Sequence, residues 1–274
     1  MKTFTVEVSS NPKPNRTTIT LIPFGKTAEL LTRKLRERNP QVDICDNVET
    51  LIDQRLGKVK SEAVFIVWDG EDVAGSEALV QVDRRLRERH PEVLRVMVVP
   101  YHSMLPERIG VVVEVDFADG ESESIYRVEG ILRSIYIHGN EGSPEAIVPF
   151  FPNFMEWMNT LYKTWMGYGH TYEGDNPYLV AIQRALNPLP IWLQQFDMIF
   201  AHVSVAPHYK ILEVSDAIAW LEERVGYYVG LDFAIFPDDE VSEGQARVVV
   251  VGGKLSQNLQ GEFERESLIP VNNT

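Results

Sequence analysis

Two short segments hold the residue types that phosphate chemistry uses. Phe24-Gly25-Lys26-Thr27 sets a glycine, a lysine and a hydroxyl between an apolar run and a helical pattern. A turn of that kind aims backbone N–H groups and an ammonium at one place, where an anion could lie. A full P-loop needs another glycine five positions before Gly25, and Thr20 stands there, so the fragment reads as helix-start chemistry. The second segment runs from Trp68 through Asp69, Gly70, Glu71, Asp72, Val73 and Ala74 to Gly75 and Ser76. It also comes after an apolar run, but three carboxylates crowd it. Like charges at a few ångströms in a pocket of low dielectric repel by several kcal/mol, of order 332/(ε·r) per pair.

Other reactive residues form no recognised constellation. His90, His102, His170, His202 and His208 lack the i,i+4 spacing of a zinc helix, and His202 lies in an apolar run that reads as core. Ser103 and Ser204 lack a G-x-S-x-G setting. Asp238, Asp239 and Glu240 read as a solvated acidic hairpin turn. The aromatic stretch Phe150, Phe151, Phe154, Trp157, Tyr162 and Trp165 has helical spacing, which favours core packing. If its loop portion is exposed, the same rings are interface anchors.

Composition narrows the class. The 274 residues carry 26 Lys and Arg against 40 Asp and Glu, a formal charge of 26 − 40 = −14. That balance argues against a nucleic-acid partner. The basic runs 33–38 and 84–89 are interleaved with Leu and Glu and read as solvated helix faces. The lone cysteine, Cys45, excludes an internal disulfide and a multi-cysteine metal site. No run approaches 18 apolar residues, and the N-terminus lacks the apolar core of a signal peptide, so a soluble, cytoplasmic chain is expected.

Periodicity places the elements that position these residues. Residues 1–16 alternate at Phe4, Val6 and Val8 and end in NPKPN, an arm and linker. Strands are expected at 17–24, 42–45, 63–68 and 93–100, with helices at 27–38 and 76–89 and a turn at 69–75. Strand–helix–strand repetition with short turns implies a parallel sheet with right-handed crossovers. Beyond Tyr101 the pattern predicts a strand at 109–117, a helix at 122–137, an aromatic helix at 154–165 and a turn at 167–177. Next come a helix at 178–186, a strand at 196–205 and a helix at 213–225. A β-hairpin of 231–236 with 245–251, closed by Gly252 and Gly253, completes an α+β end.

This order of elements resembles the tubulin/FtsZ superfamily over about residues 17 to 253. The texts that carry the likeness are AIQRALNPLP, FDMIFAHVSV, ILEVSDAIAWL, LDFAIFPDDE and ARVVVVGG, in the family's order. WMGYGHTYEGD is similar to the family's M-G-Y-A segment, YRVEGILRSIY to its central core helix, and SEAVFIVWDG and VMVVPYH to strands of its nucleotide-binding half. The resemblance implies an α/β fold: a Rossmann-like parallel-sheet half at 17–121, core helix and loop at 122–165, an FtsZ/tubulin-type α+β half at 166–254 and a tail at 255–274.

The family binds GTP with Gly-rich turns. Here the matching turns keep only Gly25, Lys26 and Thr27, and Gly70, Gly75 and Ser76. The family's N-x-D-x-x-D loop has no counterpart in 138–156, although Glu141, Glu145 and Glu156 lie there. The resemblance and these departures together imply a non-catalytic member without a cofactor. Such a chain would be a cytoskeletal scaffold or filament-associated protein assembling with itself or a relative. Phe150, Phe151, Phe154, Glu156 and Trp157 are its candidate interface. The alternatives are an active GTP-binding polymerising GTPase with a divergent pocket, and a regulatory protein-binding module.

Overall fold

The computed structural model describes residues 18–45, 48, 51–52, 62–71, 73–105, 109–117, 121–139, 161–172, 175–187, 189 and 193–255. The arm at 1–16, most of the tail and the five candidate interface residues, Phe150, Phe151, Phe154, Glu156 and Trp157, lie outside them. So does Asp72.

The first half alternates strands and helices: β1 (Thr18–Phe24), α1 (Lys26–Arg38), β2 (Val42–Ile44), β3 (Glu62–Trp68), α2 (Val73–Arg89), β4 (Leu94–Pro100) and β5 (Val111–Val115). The core helix α3 (Glu121–Gly139) comes next. The second half is β6 (Leu161–Thr171), α4 (Pro177–Leu186), β7 (Met198–Val205), α5 (Ile211–Val225), β8 (Gly230–Pro237) and β9 (Ala246–Leu255). The nine strands among the described residues join one sheet in the order β2-β1-β3-β4-β5-β6-β9-β7-β8. Only β9 runs antiparallel to its neighbours.

Strand residues alternate between the faces, and the core divides accordingly. Leu21, Phe65, Val96, Val113, Phe200 and Val249 share one face with α1 and α3. On the other face, Val64, Ile66 and Met97 pack under α2, and Ile199, Val203 and Val250 pack under α4 and α5. Near-continuous apolar text in β3, β4 and β9 is the signature of strands covered on both sides. The core helix therefore runs along a face to which both halves of the sheet contribute. No helix among the described residues is long and apolar enough to cross a membrane.

Five expectations are corrected. Residues 161–165 are strand rather than helix, and β6 continues through 167–171, where the glycines suggested a turn. Gly167 and Gly169 are there because α4 lies against them: a Cβ would fall 1.9 Å from the Ala185 carbonyl oxygen and 2.0 Å from that of Ala181. Gly252 does not close β9 for a similar reason, since its missing Cβ makes room for the Phe196 ring at 2.7 Å. The turn after β3 is short, because α2 begins at Val73 and takes in Gly75 and Ser76. Finally, β8 and β9 form no hairpin: β8 pairs with β7 in parallel, and β9 inserts between β6 and β7. The intervening segment 238–245 is long enough to carry the chain past β7.

Candidate functional site

Strands β1 and β3 are neighbours and end level, Phe24 beside Trp68. The turns after them therefore meet. Gly25 leaves β1 at φ 101° and ψ 162°, a conformation that residues with a Cβ scarcely adopt. The chain then enters α1, whose first amides point back toward β3. Gly25 supplies no side-chain cap.

The cap comes from Asp69. Thr27 and Ala28 donate their backbone N–H groups to Asp69 Oδ2 at 2.9 and 3.3 Å. Asp69 Oδ1 accepts the N–H of Glu71 at 3.1 Å, and Thr27 Oγ1 donates to Glu71 Oε1 at 3.2 Å. The Asp69 N–H donates to the Phe24 carbonyl at 3.3 Å, which locks the two turns together. Asp69 is only 8 % exposed. A Cβ on Gly25 would lie 2.1 Å from Asp69 Oδ1, so the glycine admits the carboxylate. Gly70, at φ 83°, reverses the chain against Pro100, where a Cβ would meet the ring at 2.7 Å.

This geometry dictates the chemistry. A helix N-terminus presents unpaired N–H donors and a partial positive charge, the usual seat of a phosphate. In this chain a buried carboxylate of its own takes that seat. Of the residues singled out in sequence, Gly25, Thr27 and Gly70 come together around Asp69. Lys26 is exposed beside them, and Gly75 and Ser76 belong to the first turn of α2.

A second group on the same edge of the sheet carries no recognisable motif. His102 comes after β4 at φ 61° and donates its N–H to Glu114 Oε2 at 3.2 Å. Burial pushes the Glu114 carboxyl above its ordinary 4.5, against the lowering effect of that hydrogen bond. Arg127 of the core helix donates to the Glu114 carbonyl oxygen at 3.1 Å and to the Tyr101 hydroxyl. The available signal was a carboxylate inside the otherwise apolar run VVVEV, all of it buried.

A third group joins α1, the core helix and the β8–β9 connection around a cavity of about 240 Å³. Glu129 of α3 pairs with Arg38 at 3.2 Å and with Arg133 at 3.3 Å. Arg133 reaches Glu240, and Arg247 holds Asp238 at 3.2 Å. Asp238 is thus a buried anchor rather than a solvated turn residue. Three guanidiniums, Arg38, Arg133 and Arg247, and one carboxylate, Glu129, line the cavity, while Asp238 and Glu240 pair with two of the guanidiniums from outside the lining. Tyr168 lies under Gly130 of the core helix, and its burial pushes the phenol up to about 12. His202 is core, 2 % exposed, with its ring edge-on to Phe236. Among the described residues no group of three or more His, Cys, Asp or Glu could hold a metal ion.

No protein-family model and no curated protein sequence matches this chain. Solved structures do. An FtsZ dimer from M. jannaschii superposes with a TM-score of 0.63 at 14 % identity, over 88 % of each chain. CetZ2 from Haloferax volcanii, in a GTPγS-bound protofilament, gives 0.60 at 17 % identity, over 91 % of this chain and 97 % of that one. TubZ from Bacillus thuringiensis serovar israelensis, in GDP-form protofilaments, gives 0.58 at 10 % identity, over 93 % and 95 %. The element order expected from the sequence and the extent of these superpositions agree: the chain has the tubulin/FtsZ fold.

Proposed function

We propose that this chain is a tubulin/FtsZ-like protein that has lost nucleotide binding and hydrolysis and serves as a cytoskeletal scaffold or filament-associated protein, assembling with itself or a relative. One observation carries the reading: the Asp69 carboxylate accepts the two α1 amides that a phosphate would need. An entering triphosphate has to displace a hydrogen-bonded carboxylate and then lie beside it and Glu71. Both the lost hydrogen bonds and the repulsion oppose that. Retention of the fold over roughly nine-tenths of FtsZ- and CetZ-type chains supports a role built on the fold's surfaces.

The test is calorimetric. Titration of GTP with Mg²⁺ into the full chain is expected to give no saturable heat at micromolar nucleotide. A saturable micromolar isotherm, or light scattering that rises only with GTP, overturns the proposal in favour of an active polymerising GTPase.

A further inference from the structure

Of the two outermost strands of the sheet, β8 is the longer, with 8 residues against the 3 of β2. Strand β8 pairs with β7 through all eight of its residues, and no described residue pairs with its other edge. Phe233 donates its N–H to the adjacent Asp232 Oδ1 at 2.8 Å, so that amide faces away from β7. Successive strand residues direct their backbone groups to alternate sides. Leu231 and Ile235, two positions either way, therefore face the same open edge, without the Asp232 cap. Tyr227 and Tyr228, just before the strand, are 97 and 95 % exposed, and Phe233 is 41 % exposed. A long open edge beside exposed aromatics is a template for another strand, and folded proteins normally cover or blunt it. Asp232 within the strand and Asp239 just after it are exposed acids.

The sequence supplies a matching strand. Residues 1–17 lie outside the described structure. Phe4, Val6 and Val8 alternate with Thr3, Thr5 and Glu7, the period of a half-buried strand. Residues 1–17 hold Lys2, Lys13 and Arg16 against Glu7, so 3 − 1 = +2 in a chain of net −14. Reach decides which copy they serve. From β1 to a strand added beside β8 is eight inter-strand steps in the order of the sheet, about 38 Å at the usual strand spacing. The ten residues from Val8 to Thr18 span at most about 33 to 36 Å, and only in a straight extended line. Counted along the sheet, that path is as long as the fully extended linker, so the edge of a second copy is the one the arm reaches with slack to spare.

We propose that the strand Thr3 to Val8 of one copy adds to the outer edge of β8 in a second copy, with Phe4 or Val6 packing beside Tyr227, Tyr228 and Phe233. The proposal rests on the self-assembly reading above and names its contact. Because the arm and the edge that receives it lie on different parts of the chain, the contact joins unlike surfaces, and it closes by reciprocal exchange or in a ring, or propagates from copy to copy, according to the rotation between copies.

Sedimentation velocity on the full chain, over a hundredfold range of concentration, tests it. Association is expected, with loss on removal of residues 2–9 and on Leu231→Pro, which deletes an outward N–H. Mixed, these two chains are expected to form a one-to-one heterodimer that neither forms alone, because one retains the edge and the other the arm. Tyr227→Ser with Tyr228→Ser alters only exposed side chains, and it should weaken association at least tenfold even if Leu231→Pro fails to fold. A truncated chain that associates as well as the full chain overturns the arm contact and leaves self-assembly standing. A full chain that stays monomeric removes both. Protection of the arm amides from exchange in dilute monomer would place the arm on its own β2 edge and also overturn the proposal.

Discussion

Two helix N-termini in this molecule are capped in opposite ways. At α4 the cap is local: Asn176 Oδ1 accepts the Leu179 N–H at 3.0 Å, three residues on, and Pro177 opens the helix. At α1 the cap comes from Asp69, 42 residues away, across a strand pair. The Asn176 side chain stabilises a helix end and, through its amide N–H to the Glu213 carbonyl oxygen at 2.9 Å, holds that end to α5, but it closes no gap between two strand-end turns. The distant cap also ties two turns together and fills a space that an anion would otherwise enter. Its removal should therefore alter binding as well as stability, whereas loss of the local cap should alter stability alone.

The most severe loss is expected for Gly25→Ala. It combines a backbone conformation nearly reserved for glycine with a Cβ driven into Asp69, a loss of about 3 kcal/mol in chemical denaturation. Combining it with Asp69→Ala should relieve the overlap and leave the backbone strain, so the double variant loses less than the sum. If the losses simply add, the two turns are not coupled as described.

Asp69→Ala alone should cost about 2 kcal/mol, because two helix amides lose their acceptor. Phosphate or sulfate at millimolar concentration should restore part of that loss and leave the parent chain unmoved. Equal effects of the anion on both chains would break the contrast between the two helix ends. Asn176→Ala should cost about 1 kcal/mol with no response to anions, since its seat is an ordinary cap.

The mildest change has a sign fixed by burial. The Glu114 pKa is raised, so the native state holds its proton to higher pH than the unfolded chain does. Stability from this group is full below the ordinary 4.5 and is lost as pH climbs from there through the raised value. Glu114→Gln keeps an acceptor for the His102 N–H and carries no charge to bury. Its melting temperature should exceed the parent's more at pH 7 than at pH 4. The opposite ordering would mean that the ionised form is the stabilised one.

Periodicity identifies elements where it is strong, and it misleads where glycine has two meanings. Strands β1, β3, β4 and β7 and the apolar stripes of α3 and α5 announce themselves, because burial on one or both faces writes a period into the chain. Gly167, Gly169 and Gly252 suggested breaks, yet they sit inside strands where a helix backbone or an aromatic ring presses close. Close approach leaves the same mark in sequence as a turn does. The acids at 69–71 were visible as a misfit in a phosphate loop, but the spacing could not reveal that one of them caps α1.

Local text was enough to set the order of elements apart from β6, the apolar faces and the glycine-poor turns, since these depend on neighbours within a few residues. Long-range packing had to settle that Asp69 closes the end of α1, that Asp238 is buried against Arg247, and that β9 separates β7 from β6. Each of those depends on which strand lies beside which, and pairing between distant segments is set by packing of the whole sheet rather than by any short run of residues.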